Sequence, residues 1–482
     1  MTTRFSTRFS TTWRRHQHED HEYVLYPKGT DVANGNWRTP PMKPLIRYLS
    51  WCSAAGTLLL SLVLQPIATA ETIEEAWEIA LAYDYRMKAS QESLAAAEER
   101  LKSASSVRMP ELKAQAAYSQ FNRTPEAEIS LPRFPLMTSP LLKDDTVFSS
   151  EMQLSVPLFT SGRISGGIDT ARSTVESYRQ EAAKTTQEIK LQVAEAFIQV
   201  LRAQALVDVA RSHVTSLQAH QHDVQQMDHE GLVSRNDVLA VGLALADAGQ
   251  SLLQIENKLD LARSAFNRLL GRPFAHPVLL EFPAGGFFGN GAEPPADEEA
   301  LRSEAIARRP ELKALSHQAD AYAAMAKSIR AEALPQLAGS ASWFHSDQMP
   351  LTDNDIWEAG LVLQWKIFDG GVVRHRAGAE ERKRRIAEHQ RQDVRSLIEL
   401  QVRQAWLDVQ ESIQRVSVCE KALVQAEENL KVAKNRYVQE IGTHTEVLDA
   451  ETLRTKSQTN HVHALYDLLL ARIKLKYAIG DL

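Results

Sequence analysis

The sequence predicts an α+β membrane protein made of two copies of one unit, each a helix, two strands and a very long helical hairpin. Three observations predict it: self-similarity at a spacing of 209 residues, ten-residue segments of alternating polarity, and two stretches of more than a hundred residues without proline.

The repeat is the strongest of the three. Adding 209 carries Phe159 to Phe368, Gly162 to Gly371, Ile189 to Ile398, Leu191-Gln192-Val193 to Leu400-Gln401-Val402 and Ala196-Phe197 to Ala405-Trp406. Further on it carries Val238-Leu239 to Val447-Leu448 and Gly271 to Gly480. Unrelated coiled coils can share a heptad phase, but they would hardly share the glycines that open and close each unit, so duplication explains the match.

In chain order, residues 1–41 are polar and aperiodic and read as an unstructured upstream extension, with translation expected to start at Met42. Residues 42–70 read as a signal peptide: Lys43 and Arg47, an apolar run from Leu49 to Leu64, then Ala68-Thr69-Ala70. Cys52 sits behind Trp51, where a lipid-attachment signal would want a small residue, and removal of this segment leaves Cys419 as the only cysteine. No disulfide can then form within one chain, so stability must come from burial and assembly. The formal charge is −6; residues 1–70 hold eight basic and four acidic groups, leaving −10 for the remainder. An acidic chain without basic clusters is a poor nucleic-acid binder.

The first repeat is assigned to residues 71–271. It opens with a helical lead-in, Thr72 to Val107, followed by strands at about 110–121 and 147–159. Met152, Leu154, Val156 and Leu158 fall on one face of the second strand, and Glu151, Gln153 and Ser155 on the other; period two means a strand between two different surroundings. The loop between the strands, Asn122 to Thr146, holds four prolines and reads as irregular. A helical hairpin is expected over 162–271 with its tip near 231–234, since no proline lies between Pro157 and Pro273. Residues 272–299, with Pro283-Ala284-Gly285-Gly286 and Pro294-Pro295, read as a linker.

The second repeat is assigned to 300–482: a helix, strands at about 335–344 and 357–368, and a hairpin over 371–480 with its tip near 440–445. Trp357, Ala359, Leu361, Leu363, Trp365 and Ile367 are placed on one face of its second strand. Each strand is about long enough to cross a bilayer when tilted, and Trp357 and Trp365 suit interfacial belts, although a soluble half-buried sheet would alternate in the same way. After the first seventy residues there is no run of about 18 to 20 consecutive apolar residues, so a membrane-crossing helix is not expected there. In lipid no strand edge can stay unpaired and barrels start at about eight strands, so four strands per chain require partners.

Catalytic and metal signatures are missing. His213, His220, His222 and His229 lie mostly seven apart, a rise of about 10.5 Å on a helix, too far to share one ion, and they read as a solvated stripe. No nucleophile elbow, phosphate loop or cofactor fingerprint is found, and no cofactor is expected. Strand-to-helix turns are placed at Gly162 and at Gly370 and Gly371.

Several paired signatures then resemble one family. They are Val156-Pro157-Leu158-Phe159 with Gly162-Arg163, and Trp365-Lys366-Ile367-Phe368-Asp369-Gly370-Gly371. Gly231-Leu232-Val233-Ser234 with Asp237-Val238-Leu239, and Gly442-Thr443 with Glu446-Val447-Leu448-Asp449, complete the set. They resemble the TolC-type outer-membrane efflux channels, the outer membrane factors.

That resemblance implies a homotrimer whose four strands per chain close a 12-stranded outer-membrane β-barrel, continued by an α-helical coiled-coil tunnel through the periplasm. It implies a passive conduit of an efflux pump or type I secretion system, working with a periplasmic adaptor (membrane fusion) protein and an inner-membrane transporter of RND, ABC or MFS type. Gly231, Leu232, Val233, Ser234, Gly442 and Thr443 match the adaptor-contacting tips, and Glu446 and Asp449 match acidic positions that narrow the mouth. The second tip departs from the pattern, with Glu440 where many relatives have glycine and no basic group at Gly442. The competing class is a non-transporting, self-associating coiled-coil surface protein, which single-channel conductance would separate from a duct.

Overall fold

The computed structural model describes residues 70–129, 137–140, 142, 144–281, 297–348 and 353–482. The expected upstream extension, the signal peptide and most of the inter-repeat linker lie outside the described residues.

The elements in chain order are α1 (Ile73–Tyr83), α2 (Tyr85–Ser106), β1 (Glu111–Gln120), β2 (Glu126–Ile129), β3 (Met137–Pro140), β4 (Thr146–Phe159), α3 (Arg163–His229) and α4 (Arg235–Leu269). There follow α5 (Glu298–Arg308), α6 (Pro310–Ala331), β5 (Gln336–Ser346), β6 (Asp355–Gln364), α7 (Val372–Val438) and α8 (His444–Ile479). Adding 209 carries α3 onto α7 residue for residue, and both are 67 residues long, about 100 Å at 1.5 Å per residue.

The first part of each unit obeys a second register. Adding 225 carries Ile73–Tyr83 onto Glu298–Arg308, Tyr85–Ser106 onto Pro310–Ala331 and Glu111 onto Gln336. The two registers differ by 16 residues, inserted between β1 and β4, where the sequence reading expected only irregular loop. This insertion folds as the β2–β3 hairpin, with Glu126 opposite Pro140 and Ile129 opposite Met137. The proline closes that short ladder at its end, a position where a missing N–H costs nothing.

Each lead-in is two helices rather than the one expected. Pro310 at the start of α6 pushes Arg309 out of helical conformation, to φ −57 and ψ 122. Asp84 takes φ −57 and ψ 125 and its carboxylate accepts from Arg86 N at 2.7 Å, capping α2.

Four strands form one antiparallel sheet in the order β1-β4-β5-β6. Glu111 pairs with Ser155, Leu154 with Ala341, and Gln336 with Gln364. Among the described residues no other element covers this sheet. Both edge strands are exposed throughout apart from Tyr-adjacent Ala117, and Trp357, Leu361 and Leu363 are 79%, 69% and 68% exposed. The last strand stops at Gln364, four residues short of the expected 368. Its pairing partner β5 begins at Gln336, so Trp365 to Phe368 have no ladder to join, whereas the equivalent stretch of β4 runs on to Phe159 against Leu337.

The helices pack side by side rather than around one centre. Descending α3, Ser328 of α6 donates to Arg163 O, Trp77 Nε1 donates to Lys190 O, and Phe197 meets Phe266 of α4 edge-to-face. Ile189, Val193, Phe197 and Ile198 of α3 form the main core with Ile73, Ala76, Phe266 and Ile473. By length and composition α4 is apolar enough to cross a membrane, contrary to the expectation from consecutive runs, because Asp247, Gln250 and Gln254 interrupt an otherwise apolar window.

Gly162 and Gly371 stand at the strand-to-helix turns with φ +95 and +89. Ahead of them Ser161 and Gly370 also take left-handed conformations, φ 51 and 66. A Cβ at the capping position would be strained, and Gly371→Ala is expected to cost about 1 kcal/mol or more. Thermal melting of the purified protein checks this; an unchanged midpoint would mean that the turn relaxes.

Candidate functional site

The distal ends of both hairpins come together, and this is where the expected site residues lie. Val224, Val241, Leu430, Ala433, Tyr437, Val447 and Ala450 form a small apolar core shared by the two tips.

In the first tip Gly231 is exposed with φ +73 and Leu232 is 53% exposed, while Val233 is half-buried against the shared core. Ser234 caps α4 reciprocally: its Oγ accepts from Asp237 N at 3.4 Å, and its own N–H donates to Asp237 Oδ2 at 3.1 Å. In the second tip Gly442 is half-buried, and Thr443 Oγ1 accepts from Glu446 N at 3.3 Å to start α8. The departure noted at Glu440 leaves the turn intact: this glutamate takes φ 63, matching Gly231 at the equivalent position.

The two expected mouth acids differ in surroundings. Glu446 is already engaged by Arg436 of α7 at 3.1 Å, which the sequence reading did not anticipate. Asp449 is exposed and makes no ion pair among the described residues. His444 Nδ1 lies 3.0 Å from Asp237 Oδ1 and links the second tip to the start of α4.

The histidines of α3 are not one solvated stripe. His222 and His229 are exposed, but His220 is buried against the Tyr437 ring and His213 meets Thr455 Oγ1 at 2.8 Å. Burial holds His220 below the usual histidine range, and the Lys434 cation adds to this. His220 Nε2 and Tyr437 Oη are both buried without a hydrogen-bond partner. No group of three metal-ligating side chains occurs among the described residues.

Above the tip core, the Glu451 carboxylate of α8 is 2% exposed. It accepts from Ser216 Oγ at 2.9 Å and Arg454 at 2.6 Å, with His213 at 3.5 Å and Lys434 at 3.9 Å. Burial alone would raise its pKa, but the hydrogen bonds from His213, Arg454 and Ser216 together outweigh burial and hold it at about 2. Sequence reading missed this residue because its partners are remote along the chain. A signal was present: Val447, Glu451, Arg454, Gln458 and His461 fall on one helical stripe, so charge sits in a core phase.

A single-layer sheet carried on two helices of about 100 Å, each doubled back by a shorter one, is the architecture of a wall segment. The chain belongs to the outer membrane efflux protein family, whose model matches residues 77–272 and 301–481. It is 25% identical over 348 residues to the alkaline protease secretion protein AprF of Pseudomonas aeruginosa, covering 70% of this chain and 71% of that protein. Among solved structures, the outer membrane protein VceC of Vibrio cholerae shares the fold with a TM-score of 0.69 at 18% identity, over 85% of this chain and 96% of that one. A Pseudomonas aeruginosa membrane protein does so with a TM-score of 0.72 at 18% identity, over 85% and 92%. The resemblance read from the sequence therefore holds, and the chain is an outer-membrane channel component for efflux or secretion.

Two expected outcomes follow from the tips. Glu440→Gly removes a left-handed non-glycine residue and should raise thermal stability by up to about 1 kcal/mol; a loss would mean that the glutamate side chain holds the turn. Glu451, whose pKa is lowered in the folded state, contributes stability that is present above about pH 4.5 and lost as pH falls through about 2. Glu451→Gln should flatten the acid limb of a stability-against-pH profile below about pH 4.5, and an unchanged limb would assign that limb to other carboxylates.

Proposed function

We propose that the chain is one third of a passive outer-membrane duct, a homotrimer whose sheets close a 12-stranded barrel and whose hairpins form a tunnel through the periplasm. The observation that carries this is the pair of open edges. Among the described residues strand β1 is unpaired on one side of the sheet and β6 on the other, and in lipid neither row of amides can be left without partners. Four strands cannot close on themselves, and three copies supply twelve, above the lower limit of about eight for a barrel.

The helices repeat the logic. One side of α4 packs within the protomer through Val241, Ala248, Leu259 and Phe266. Leu239, Leu243, Leu253 and Leu261, each more than half exposed, lie on the opposite side at about 100° per residue. The α7 helix has its own exposed apolar positions, among them Leu400, Leu407, Val418 and Val432. Running antiparallel, α4 of one copy and α7 of the next would seal a wall as β1 and β6 seal the barrel.

The apolar side chains of β4 and β6 would then meet outer-membrane lipid, and Trp357 would suit an interfacial belt, whereas Trp365 lies past the end of β6 and donates from Nε1 to Ala333 O. The tips, Gly231 to Ser234 and Gly442-Thr443, would receive a periplasmic adaptor joined to an inner-membrane transporter of RND, ABC or MFS type. The family description favours efflux, and the likeness to the alkaline protease secretion protein AprF favours polypeptide secretion; one architecture serves both.

Single-channel recording in planar bilayers is the test: discrete conductance steps are expected from a β-rich trimer, and a monomer without conductance would sink the reading. Leu239→Asp with Leu253→Asp should abolish the trimer by placing charge in the seal. Replacing both Glu446 and Asp449 by Ala should weaken block by multivalent cations, with Asp449 contributing more because Arg436 already neutralises its neighbour. Unchanged block would remove both from the pore.

A further inference from the structure

Duplication lets one half of the sheet serve as a ruler for the other. Moving β1 by 225 residues and β4 by 209 turns the β1·β4 pairing into the β5·β6 pairing. Glu111 with Ser155 becomes Gln336 with Gln364, and Leu112 with Leu154 becomes Leu337 with Leu363, and all of these pairs are present in the sheet. The β4·β5 pairing has no such image within the chain, because its image would join β6 to β1, the two open edges.

That image is specific. Ser155 with Ser340 becomes Gln364 with Gln115, Pro157 with Ala338 becomes Lys366 with Lys113, and Phe159 with Leu337 becomes Phe368 with Leu112. One chain cannot make these pairs, since β4 and β5 stand between the two edges, but the next copy can. The segment past Gln364 is in the state expected of a strand end whose partner is another copy: Ile367 and Phe368 are 80% and 90% exposed.

Lys113 and Lys366 fall on the polar face of the sheet, the one that carries Glu151, Gln153 and Ser155 and that looks into the lumen when the apolar face meets lipid. Like charges directly opposite one another repel. The carboxylates nearby are already engaged: Glu332 pairs with Arg376 at 2.7 Å, Asp369 accepts from the N–H groups of Gly371 and Val373 at 2.8 Å, and Glu111 lies 3.3 Å from Lys113. A cavity of about 290 Å³, lined by Arg163, Glu332, Gln336, Gln364 and Lys366, opens at this corner of the sheet. Arg163 donates to Gln336 Oε1 at 3.0 Å and, like Lys366, makes no ion pair among the described residues.

We infer that the duct holds an anion site between copies, at the junction of barrel and tunnel: Arg163 and Lys366 of one copy and the partner's Lys113 meet on the lumenal face. This rests on the channel reading, because closure of the barrel brings the two edges together and neither copy has the site alone. The ligand is an oxyanion of phosphate size, free or carried on passing cargo. It takes donors from both sides of one seam and relieves the lysine repulsion that the register creates. The site lies at the far end of the tunnel from Glu446 and Asp449 and has the opposite sign.

The test uses the full-length protein in a Cys419→Ser background. Gln364→Cys with Gln115→Cys should give disulfide-linked copies on mild oxidation, since paired strand positions lie within disulfide reach, whereas Val362→Cys with Gln115→Cys, two residues out of step, should not. Linkage of the displaced pair in place of the aligned one would overturn the register and the site with it. In planar bilayers inorganic phosphate is expected to block the wild-type current. Lys113→Gln with Lys366→Gln should weaken that block by about tenfold while keeping the conductance steps, and Lys366→Arg alone should preserve it. Equal block of wild type and double variant, in a protein that forms the aligned link, would overturn the anion site alone. A protein that neither trimerises nor conducts overturns the channel reading, and the site falls with it.

Discussion

The amide groups along the two free edges of the sheet constrain everything else in this molecule. A strand shorn of a neighbour is tolerable in water and not in hydrocarbon. Among the described residues four of the six strands form the main sheet, neither face of it is covered, and β1 and β6 stand open at opposite sides. Such a sheet is a segment of a wall. Its long helices are wall segments too, because α4 carries one apolar stripe toward α3 and another directed away from its own protomer. The large exposed hydrophobic side chains that would mark a soluble monomer as defective are, on the proposed reading, the surfaces on which copies would join.

Duplication makes that wall economical to encode. The same unit occurs twice, so the long helices match between the halves without separate tuning, and α3 and α7 agree to the residue. The repeats differ in an insertion and at one tip residue. Sixteen residues were added between β1 and β4, at the sheet end remote from the helices, where extra chain disturbs no pairing. At the tip, Glu440 replaced a glycine-like position and kept its left-handed backbone, so the turn is fixed by the helices that flank it rather than by the residue at its apex.

Fold was legible in the sequence to the extent that it depends on periodicity. The alternation from Glu151 to Leu158, the shared glycines and the proline-free stretches each report a local rule, and local rules survive in a single chain. The end of β6 did not, because a strand stops where its partner stops, and the start of β5 at Gln336 is information held elsewhere in the chain. The breaks at Asp84 and Arg309 were signalled locally, by a capping acid and by Pro310, but the surrounding helical pattern masked them. Of the tip residues, those defined by turn chemistry, such as Ser234 and Thr443, sit at helix starts as their residue types suggest. The residues defined by long-range charge, Arg436 with Glu446 and Glu451 with Ser216 and Lys434, could not be paired without the fold.

The distribution of polar contacts along the seam between hairpins has a physical logic. Midway along the helices the contacts are large and apolar, Phe197 on Phe266 above all, and close packing of that kind resists any relative motion. Toward the tips the core is smaller, Val, Ala and Leu around Tyr437, and ion pairs join it, His444 to Asp237 and Glu451 to its neighbours, as Arg202 to Asp467 does midway at 2.6 Å. Ion pairs and hydrogen bonds are directional and can be exchanged for water once a gap opens, whereas a dry apolar seam must be peeled against its full buried area.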